Sequence, residues 1–411
     1  MAFAGLRGTG SMGTDERPKN FREMILWRNP NGTAPLTALL SKVAKEGVND
    51  PEFSWWDEVV ALTRLQIDGA LNDSATTVVV DSVDPSVSTP STNYGTALNL
   101  VPGDLLMVEP ATDQTAPTEI VQVVSVTSAT TFTVTRGVAG STAANIADNR
   151  WLLKIGSAFA EGTGAPPSAS RNPVKFSNLT QIFKTTYSLT NTVIPTKMRT
   201  GEPLANDKKR KMWDHASSLE QAFFWGQKHE MVGANGMPQR FMAGLRSFIP
   251  ASNTKIFTDD IDPLSLVDAI APAFNYETPA GDQRLVFAGN GALTALNKMA
   301  FDYKSTSFTF DGILNVYGMD LRSYTTPQGR IAIKTHPMLS LNPLYSHSMW
   351  GIDFASLKYR YLNGRDTRFK DNIQANDEDL RRGEWLTECS LEVHRAGTTM
   401  FYLGNVKYVG E

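Results

Sequence analysis

The 411-residue chain is 41% hydrophobic and 20% charged, the composition of an ordinary globular protein, and it is long enough for two or three domains. Its 39 Lys and Arg against 42 Asp and Glu give a formal charge of −3, which argues against a dedicated nucleic-acid-binding protein because such proteins are usually strongly basic. The single cysteine, Cys389, excludes an intrachain disulfide and a zinc site built from cysteines, and no apolar run has the length of a membrane span or the pattern of a secretory signal.

Residues 1–54 are predicted to be an extended N-terminal segment with one short helix, Ala34–Ala44. Leu36, Leu39 and Leu40 lie on one side of that helix. A segment with so few apolar residues has little core of its own. It is either an exposed tail or an arm that docks on a neighbouring subunit.

The next hundred residues consist of short β-like runs separated by turns. The predicted strands are Thr76–Val80, Leu98–Val101, Leu105–Val108, Glu119–Val126, Thr131–Val134 and Trp151–Ile155. Short strands with turns at regular intervals predict a small β-barrel or sandwich.

Charge is segregated along the chain. Asp57 to Glu161 contain twelve acidic and four basic residues, a net of −8, whereas Arg171 to Glu230 contain ten basic and five acidic residues, a net of +5. Such segregation can steer one subunit onto another, although two solvated faces without a partner would give the same pattern. Asp104 and Glu109 are the candidate inter-subunit contacts of the acidic region.

The longest predicted helix, Leu204–Glu230, would extend about 40 Å at ~1.5 Å per residue. Met212, Ala216, Leu219 and Phe223 recur at helical spacing, so we expect them to form a stripe buried under a sheet. Gly226 is the first of several residues that could end the helix.

Four consecutive cations follow the start of this helix: Lys208, Lys209, Arg210 and Lys211. Cations near a helix N-terminus oppose the helix dipole. Pairs from Asp207 to Lys211 and from Arg210 to Asp214 would offset part of that cost. The alternative is that the cluster contacts an external acidic partner: a neighbouring subunit, a scaffold or packaged nucleic acid.

The rest of the chain is predicted to mix helices and strands, which indicates an α+β or α/β unit. The predicted helices are Pro263–Phe274, capped by Asp262, and Gly291–Ala300. The predicted strands are Gln283–Phe287, Phe308–Tyr317, Leu321–Tyr324, Arg330–Lys334, His347–Ile352, Glu384–His394 and Thr398–Val409. Glu384–His394 alternates with period two and therefore predicts a long half-buried strand.

The sequence contains no recognisable catalytic or metal-binding pattern. None of the five histidines pairs at i, i+4, and GxSxG and P-loop motifs are absent. His215 is interpreted as a packed or surface imidazole, and Cys389 as a small buried hydrophobe rather than a nucleophile. We therefore predict no catalytic, metal-binding or cofactor-binding residue and no cofactor.

Several phrases resemble, in the same order, those of one branch of phage head proteins. They are GTDERPKNFREMILWRNPNGTAPLTALLSK, TFTVTRGVAGSTAANI, IGSAFAEG, FSNLTQIF, WLTECSLEV and FYLGNV. With its arm, β-rich excursion, long helix, separate α/β region and final long strand, the chain resembles the major capsid protein of a tailed bacteriophage. The resemblance covers nearly the whole chain.

The resemblance implies an α+β fold of the Hong Kong 97 capsid type. Its parts would be an N-terminal arm at 1–54, an extended loop at 55–175 with a β-rich insertion at about 70–156, a peripheral domain at 176–258 and 351–411, and an axial domain at 259–350. The long helix would be the spine helix of the peripheral domain. We refer to it by that name below.

The resemblance also implies a function without catalysis. The chain would assemble with itself, as pentamers and hexamers, into the icosahedral head shell that encloses the double-stranded DNA genome. Scaffold, portal and decoration proteins would be candidate partners, DNA would be contacted non-specifically at most, and no membrane would be involved. The protein would be located in the virion, after assembly in the host cytoplasm.

Two other functions stay open from the sequence. An encapsulin-like nanocompartment shell would share the fold and differ in its contents. A β-rich carbohydrate-binding protein or enzyme would use residues 55–160 as a binding module and would need a pocket lined by convergent polar groups.

Overall fold

We describe the protein from a computed structural model. The structure describes residues 35–40, 45–58, 63–81, 96–110, 119–169, 173–303, 310–316, 319–326 and 328–408. Its α-helices are α1 (Pro35–Leu40), α2 (Pro203–Trp225), α3 (Leu245–Phe248), α4 (Pro263–Ile270), α5 (Asn290–Tyr303), α6 (Pro337–Leu341) and α7 (Ala396–Thr399).

Strands form most of the remaining regular structure. The first half of the chain contains β1 (Lys45–Val48), β2 (Glu52–Asp57), β3 (Arg64–Gln66), β4 (Thr77–Val79), β5 (Asp104–Val108), β6 (Glu119–Val126), β7 (Thr131–Thr135), β8 (Trp151–Ser157), β9 (Val174–Leu179) and β10 (Gln181–Thr190). The second half contains β11 (His229–Val232), β12 (Pro238–Phe241), β13 (Thr254–Ile256), β14 (Gln283–Ala288), β15 (Phe310–Val316), β16 (Met319–Thr326), β17 (Gly329–Thr335), β18 (Met349–Ile352), β19 (Leu357–Leu362), β20 (Arg368–Lys370), β21 (Leu380–Val393) and β22 (Phe401–Gly404).

The spine helix, α2, lies where two sheets meet. One sheet has the order β1-β19-β21-β10, with β20 also paired to β21, and the other has the order β13-β22-β18-β14-β17-β16-β15. Phe223 packs edge-on against Tyr359 of the first sheet, and Phe224 packs against Trp350 of the second. These contacts place the C-terminal half of α2 inside the largest apolar core of the described residues.

The seven-stranded sheet is covered on both faces. On β14, Phe287 faces the core that contains α2, whereas Val286 and Ala288 belong to a second core with α4 and α5. Burial on both sides explains why the last four residues of β14, Leu285–Ala288, are all apolar rather than alternating. Helix α4 begins with a reciprocal capping box between Asp262 and Ser265, as expected for Asp262.

The β-rich region is a closed barrel with a core of its own. Its six strands run in the order β3-β8-β5-β6-β7-β4, and an antiparallel bridge between Ile67 and Val80 joins the two ends of that order. The Asp68 amide donates to the Val79 carbonyl and the Asp81 amide to the Gln66 carbonyl, which completes the ring. The antiparallel ribbon of β2 and β9 leads from the main body to this barrel.

Two predictions about the spine helix need correction. It ends at Trp225 rather than near Glu230, because Gly226 leaves the helical conformation with a ψ of 149° and its carbonyl accepts the Gly244 amide instead of continuing the helix. Met212, predicted to be buried, is 57% exposed. The helix instead buries a set that includes two polar residues: Leu204, His215, Leu219, Glu220, Phe223 and Phe224.

Other differences concern three short segments. Leu98–Val101 is not a strand, since a 3-10 turn occupies Ala97–Asn99. The final predicted strand, Thr398–Val409, is split into α7 and β22, after Arg395 adopts a left-handed conformation with φ of 53°. The second half of β21 is buried on both faces, so the prediction of a half-buried strand is wrong there.

The predicted arm is only partly described, since residues 1–34 and 41–44 lie outside the described ranges. Helix α1, within the predicted Ala34–Ala44, does not project from the body. Leu36, Leu39 and Leu40 are each at most 1% exposed and belong to the main core. This part of the arm therefore packs on its own subunit.

Candidate functional site

The first cation of the basic cluster is held within its own chain. The Lys208 ammonium lies 3.4 Å from the Asp371 carboxylate and 4.8 Å from the centre of the Phe369 ring. Tyr187 donates its hydroxyl to the same carboxylate at 2.7 Å. Burial, followed by this carboxylate, raises the pKa of Tyr187 to about 12. Lys208 thus belongs to a junction between α2 and the sheet beneath it.

The other cations form local pairs on the exposed side of α2. Arg210 bonds Asp207 at 3.2 Å and Lys211 bonds Asp214 at 3.0 Å, both at i, i+3 spacing instead of the predicted i, i+4. Exposed helix pairs of this kind contribute about 0.3–0.5 kcal/mol each. Lys209 is also exposed. These weak pairs leave the cluster accessible, so its role in contacts between subunits stays a prediction.

Asp104 and Glu109 both stabilise the barrel. Asp104 is 4% exposed and bonds the Lys154 ammonium at 2.6 Å, which ties β5 to β8. Glu109 receives two hydrogen bonds from the Arg64 guanidinium, at 2.8 and 2.5 Å. An inter-subunit role for these carboxylates also stays a prediction. The sequence did not reveal their cationic partners, which lie about 50 residues away along the chain.

A charged cluster that the sequence did not reveal includes Asp57, the last residue of β2, at the end of the β2–β9 ribbon that leads to the barrel. His394 donates from Nδ1 to Asp57 at 2.6 Å and from Nε2 to Glu392 at 2.5 Å. Because carboxylate oxygens only accept, both ring nitrogens carry protons and the imidazole is a cation. These bonds raise the pKa of His394 to about 9, while burial opposes the shift. Burial acts against ionisation of Glu392, but His394 and Arg360 lower its pKa to about 2.

We expect His394 to make stability depend on pH. Because the pKa of His394 is raised on folding, its contribution to the free energy of unfolding is complete below about pH 6.5, the pKa in the unfolded chain. That contribution is lost as the pH rises through about 9. Urea unfolding at pH 6 and pH 9.5 should show a larger loss of stability in the wild type than in His394→Gln. The exposed His229 provides the control, since His229→Gln should keep the wild-type pH dependence. Equal pH dependence in wild type and His394→Gln would contradict this account.

A buried junction forms around Glu220 in the C-terminal half of α2. Glu220 is 0% exposed and accepts the backbone N–H groups of Leu36 at 2.8 Å and Thr37 at 2.7 Å. It also accepts the Thr37 hydroxyl and, at 2.8 Å, His336 Nε2. One carboxylate therefore caps α1 and links it to both α2 and α6.

Metal-binding clusters and membrane-spanning helices were both sought among the described residues. They contain no group of three or more His, Cys, Asp or Glu side chains placed to hold a metal ion. Within the same ranges, no helix is both long and apolar enough to cross a bilayer. Cys389 is fully buried and its pKa is raised to about 12 by burial, which agrees with the structural interpretation of this thiol.

Comparison with known proteins identifies the family of this chain. A family model described as SU10 major capsid protein matches residues 7–404, nearly the whole chain. The chain belongs to the SU10 major capsid protein family. The major capsid protein of Pseudomonas phage PaMx41 is 26% identical over 390 residues, which is 92% of this chain and 86% of that relative. The chain is therefore a phage major capsid protein, a subunit of the virion shell.

Solved structures similar to this capsid subunit come from phages and from an encapsulin. A chain of Microbacterium phage Oxtober96 gives a TM-score of 0.46 at 10% identity, covering 95% of this chain and 96% of its own. The cyanophage A-1(L) capsid gives 0.46 at 8% identity, covering 97% and 98%. The SrpI encapsulin of Synechococcus elongatus PCC 7942 gives 0.41 at 10% identity, covering 59% and 80%.

For a capsid subunit the functional site is a surface rather than a pocket. The structure holds Lys208 at the junction between α2 and the sheet, leaves the other three cations of the cluster more accessible, and places Asp104 and Glu109 in the barrel. It shows that His394 and Glu220, two residues that the sequence did not single out, connect the described parts of the chain to one another.

Proposed function

We propose that the chain assembles with itself into the icosahedral head shell of a tailed double-stranded DNA phage, with a Hong Kong 97-type arrangement of the subunit. The family match over residues 7–404 carries this proposal. The shape of the described chain supports it, because a barrel with a separate core extends from the body on the β2–β9 ribbon. A projecting module of this kind is suited to reach a neighbouring subunit.

In this proposal the parts of the chain have distinct places in the shell. Residues 1–54 act as the arm, 55–175 as the extended loop with the barrel as its insertion, and 259–350 as the axial domain around the five- and six-fold axes. Residues 176–258 and 351–411 form the peripheral domain, whose centre is the spine helix on β10 and β21. Head-to-tail contacts between identical subunits then close into pentamers and hexamers.

The charges suggest how neighbouring subunits meet. The acidic extended loop of one subunit lies near the basic start of the spine helix of the next, since opposite potentials favour that encounter. Scaffold, portal and decoration proteins are further proposed partners, and packaged DNA is contacted non-specifically at most. The role is structural, without catalysis or cofactor, and assembly takes place in the host cytoplasm.

The exposed cations provide a direct test of this contact. We expect the double substitution Lys209→Glu and Lys211→Glu to lower the yield of assembled particles by roughly tenfold, since about 1.4 kcal/mol lost per contact changes an equilibrium constant by that factor. Lys208 is left in place because it holds the α2 junction. Particles would be counted by negative-stain microscopy and sedimentation, with co-expressed assembly factors where required.

A matched charge reversal elsewhere separates this contact from general effects of charge. Lys255 is exposed on β13, so Lys255→Glu should leave both folding and assembly unchanged. Normal particle yield from the double variant would refute the proposed contact. Persistent monomers of the wild-type chain under all assembly conditions would refute the proposed shell.

A further inference from the structure

The outer wall of the barrel has a polar half and an apolar half. Successive residues of a strand face opposite sides, so the residues between the core positions of each strand point outward. On β4 and β7, the outward residues are mostly threonines: Thr77, Val79, Thr131, Thr133 and Thr135. On β5, β6 and β8, which are neighbours in the barrel, they are mostly apolar: Leu105, Met107, Ile120, Gln122, Trp151 and Leu153. An apolar surface on one side of a module marks a site of contact with a partner.

The apolar half is most exposed around Leu105 on β5. Ile155 is the residue before the β8 partner of Leu105, and it is 46% exposed. Val124 lies two residues beyond the β6 partner of Leu105 and is 53% exposed. The Phe159 ring, 48% exposed, lies so close to Gly103 that a Cβ atom there would be 2.3 Å from it. We refer to Leu105, Val124, Ile155 and Phe159 as the apolar patch.

The barrel that carries the apolar patch is acidic. Asp68, Asp73 and Asp148 are exposed in the loops that precede β4 and β8. Glu161, which is also exposed, lies two residues beyond Phe159. A partner for this surface should therefore combine apolar side chains with cations, because complementary charges favour the correct encounter.

The exposed side of α2 has this combination. Met212 and Trp213 are 57% and 38% exposed near the middle of the helix. Lys209 lies on the same face as both, since residues three and four apart are neighbours on a helix, and Arg210 is exposed beside it. The apolar patch and this face of α2 are both exposed in the single chain, so both can contact another copy.

We propose that the apolar patch of one subunit packs on Met212 and Trp213 of α2 in a second copy of the chain, and that the nearby Lys209 and Arg210 meet the acids of the barrel. Methionine and aromatic side chains are enriched at the centres of protein interfaces, whereas the rim is polar. Every copy carries both surfaces, so the contact is head-to-tail and can close into a ring. The inference rests on the proposed contact between the barrel and the spine helix, and it identifies the side of the barrel that faces the neighbour.

Charge substitutions on opposite sides of the barrel test which side makes the contact. Ile155→Asp should lower the yield of assembled particles by roughly tenfold, because it places a carboxylate within the apolar contact. Thr77→Asp adds the same charge and should leave the yield unchanged, since Thr77 is exposed on β4, the third strand from β5 in either direction around the ring. Hydrogen exchange of residues 64–157 would show that the barrel is folded in both variants. Equal yields from two variants with folded barrels would overturn the proposal.

Disulfide trapping in assembled particles identifies the two surfaces that meet. The pair Ile155→Cys and Met212→Cys should link chains into a ladder on a non-reducing gel, whereas Thr77→Cys with Met212→Cys should give single chains. Cys389 is buried, so the introduced thiols are the reactive ones. Particles without linked chains, or an intrachain disulfide in the free subunit, would overturn the proposed pairing without affecting the proposed shell. If wild-type subunits form no particles, the proposed shell fails and the inference fails with it.

Discussion

Replacing Glu220 with glutamine is expected to lower the free energy of unfolding by roughly 2–4 kcal/mol, because buried donors lose a charged acceptor. The carboxylate accepts hydrogen bonds from Leu36, Thr37 and His336 at a fully buried position. An amide of the same size has one acceptor oxygen and turns an NH₂ group toward the remaining donors. The loss should therefore exceed that of an ordinary side-chain hydrogen bond.

Urea unfolding of the soluble subunit, followed by tryptophan fluorescence, would measure this loss. Glu230→Gln is the matched control, since Glu230 forms a partly exposed pair with Arg240 at 3.1 Å. Such pairs contribute about 0–1 kcal/mol. Similar unfolding midpoints for Glu220→Gln and Glu230→Gln would show that the buried junction does not carry the assigned stability.

The substitution Glu119→Gln is expected to lower the free energy of unfolding of the barrel by roughly 3–5 kcal/mol, since the substitution leaves the buried Arg136 guanidinium without its counter-charge. Glu119 is 0% exposed and receives two bonds from Arg136, at 2.7 and 2.6 Å. It also accepts the Gly137 amide at 2.8 Å. Burial would raise the pKa of Glu119, but the bonds from Arg136 and the backbone amides lower it overall.

The barrel supplies its own control for this substitution. Glu109 forms a similar two-bond pair with Arg64, but those side chains are 21% and 26% exposed. Glu109→Gln should therefore lower the free energy of unfolding by at most about 1 kcal/mol. Hydrogen exchange of peptides from residues 64–157 in the full chain would report the stability of the barrel. Equal hydrogen-exchange rates in Glu119→Gln and Glu109→Gln would contradict the importance assigned to burial.

The spine helix shows how far local sequence patterns extend. Its existence and the burial of Leu219 and Phe223 follow from helical spacing. The buried face was misplaced toward Met212 because the true face includes His215 and Glu220, which a hydrophobic pattern assigns to solvent. Their burial depends on partners 172 and 116 residues away, Thr387 and His336. No local pattern contains that information.

The same limit explains the errors in the strands. Alternation in Glu384–His394 correctly predicted a long strand, but burial of both faces depends on cations from outside that strand. Arg360 and Arg365 neutralise Glu392 and Glu388 there. For the candidate interface, the distribution of charged residues along the chain predicted the segregation of charge. The partners of most ion pairs are known only from the folded structure. The four helix cations were found from sequence because they are consecutive.

Closure of the barrel through Ile67 and Val80 has a consequence for handling and storage of the free subunit. An open sheet of six strands would present two rows of unpaired amides and carbonyls, and such rows template edge-to-edge aggregation. The ring removes both rows from a module that projects from the body. The described strands of the barrel then present side chains rather than unpaired backbone to a neighbour, so their contacts can be reset by surface substitutions, and concentrated subunits are protected from fibre growth at these strands.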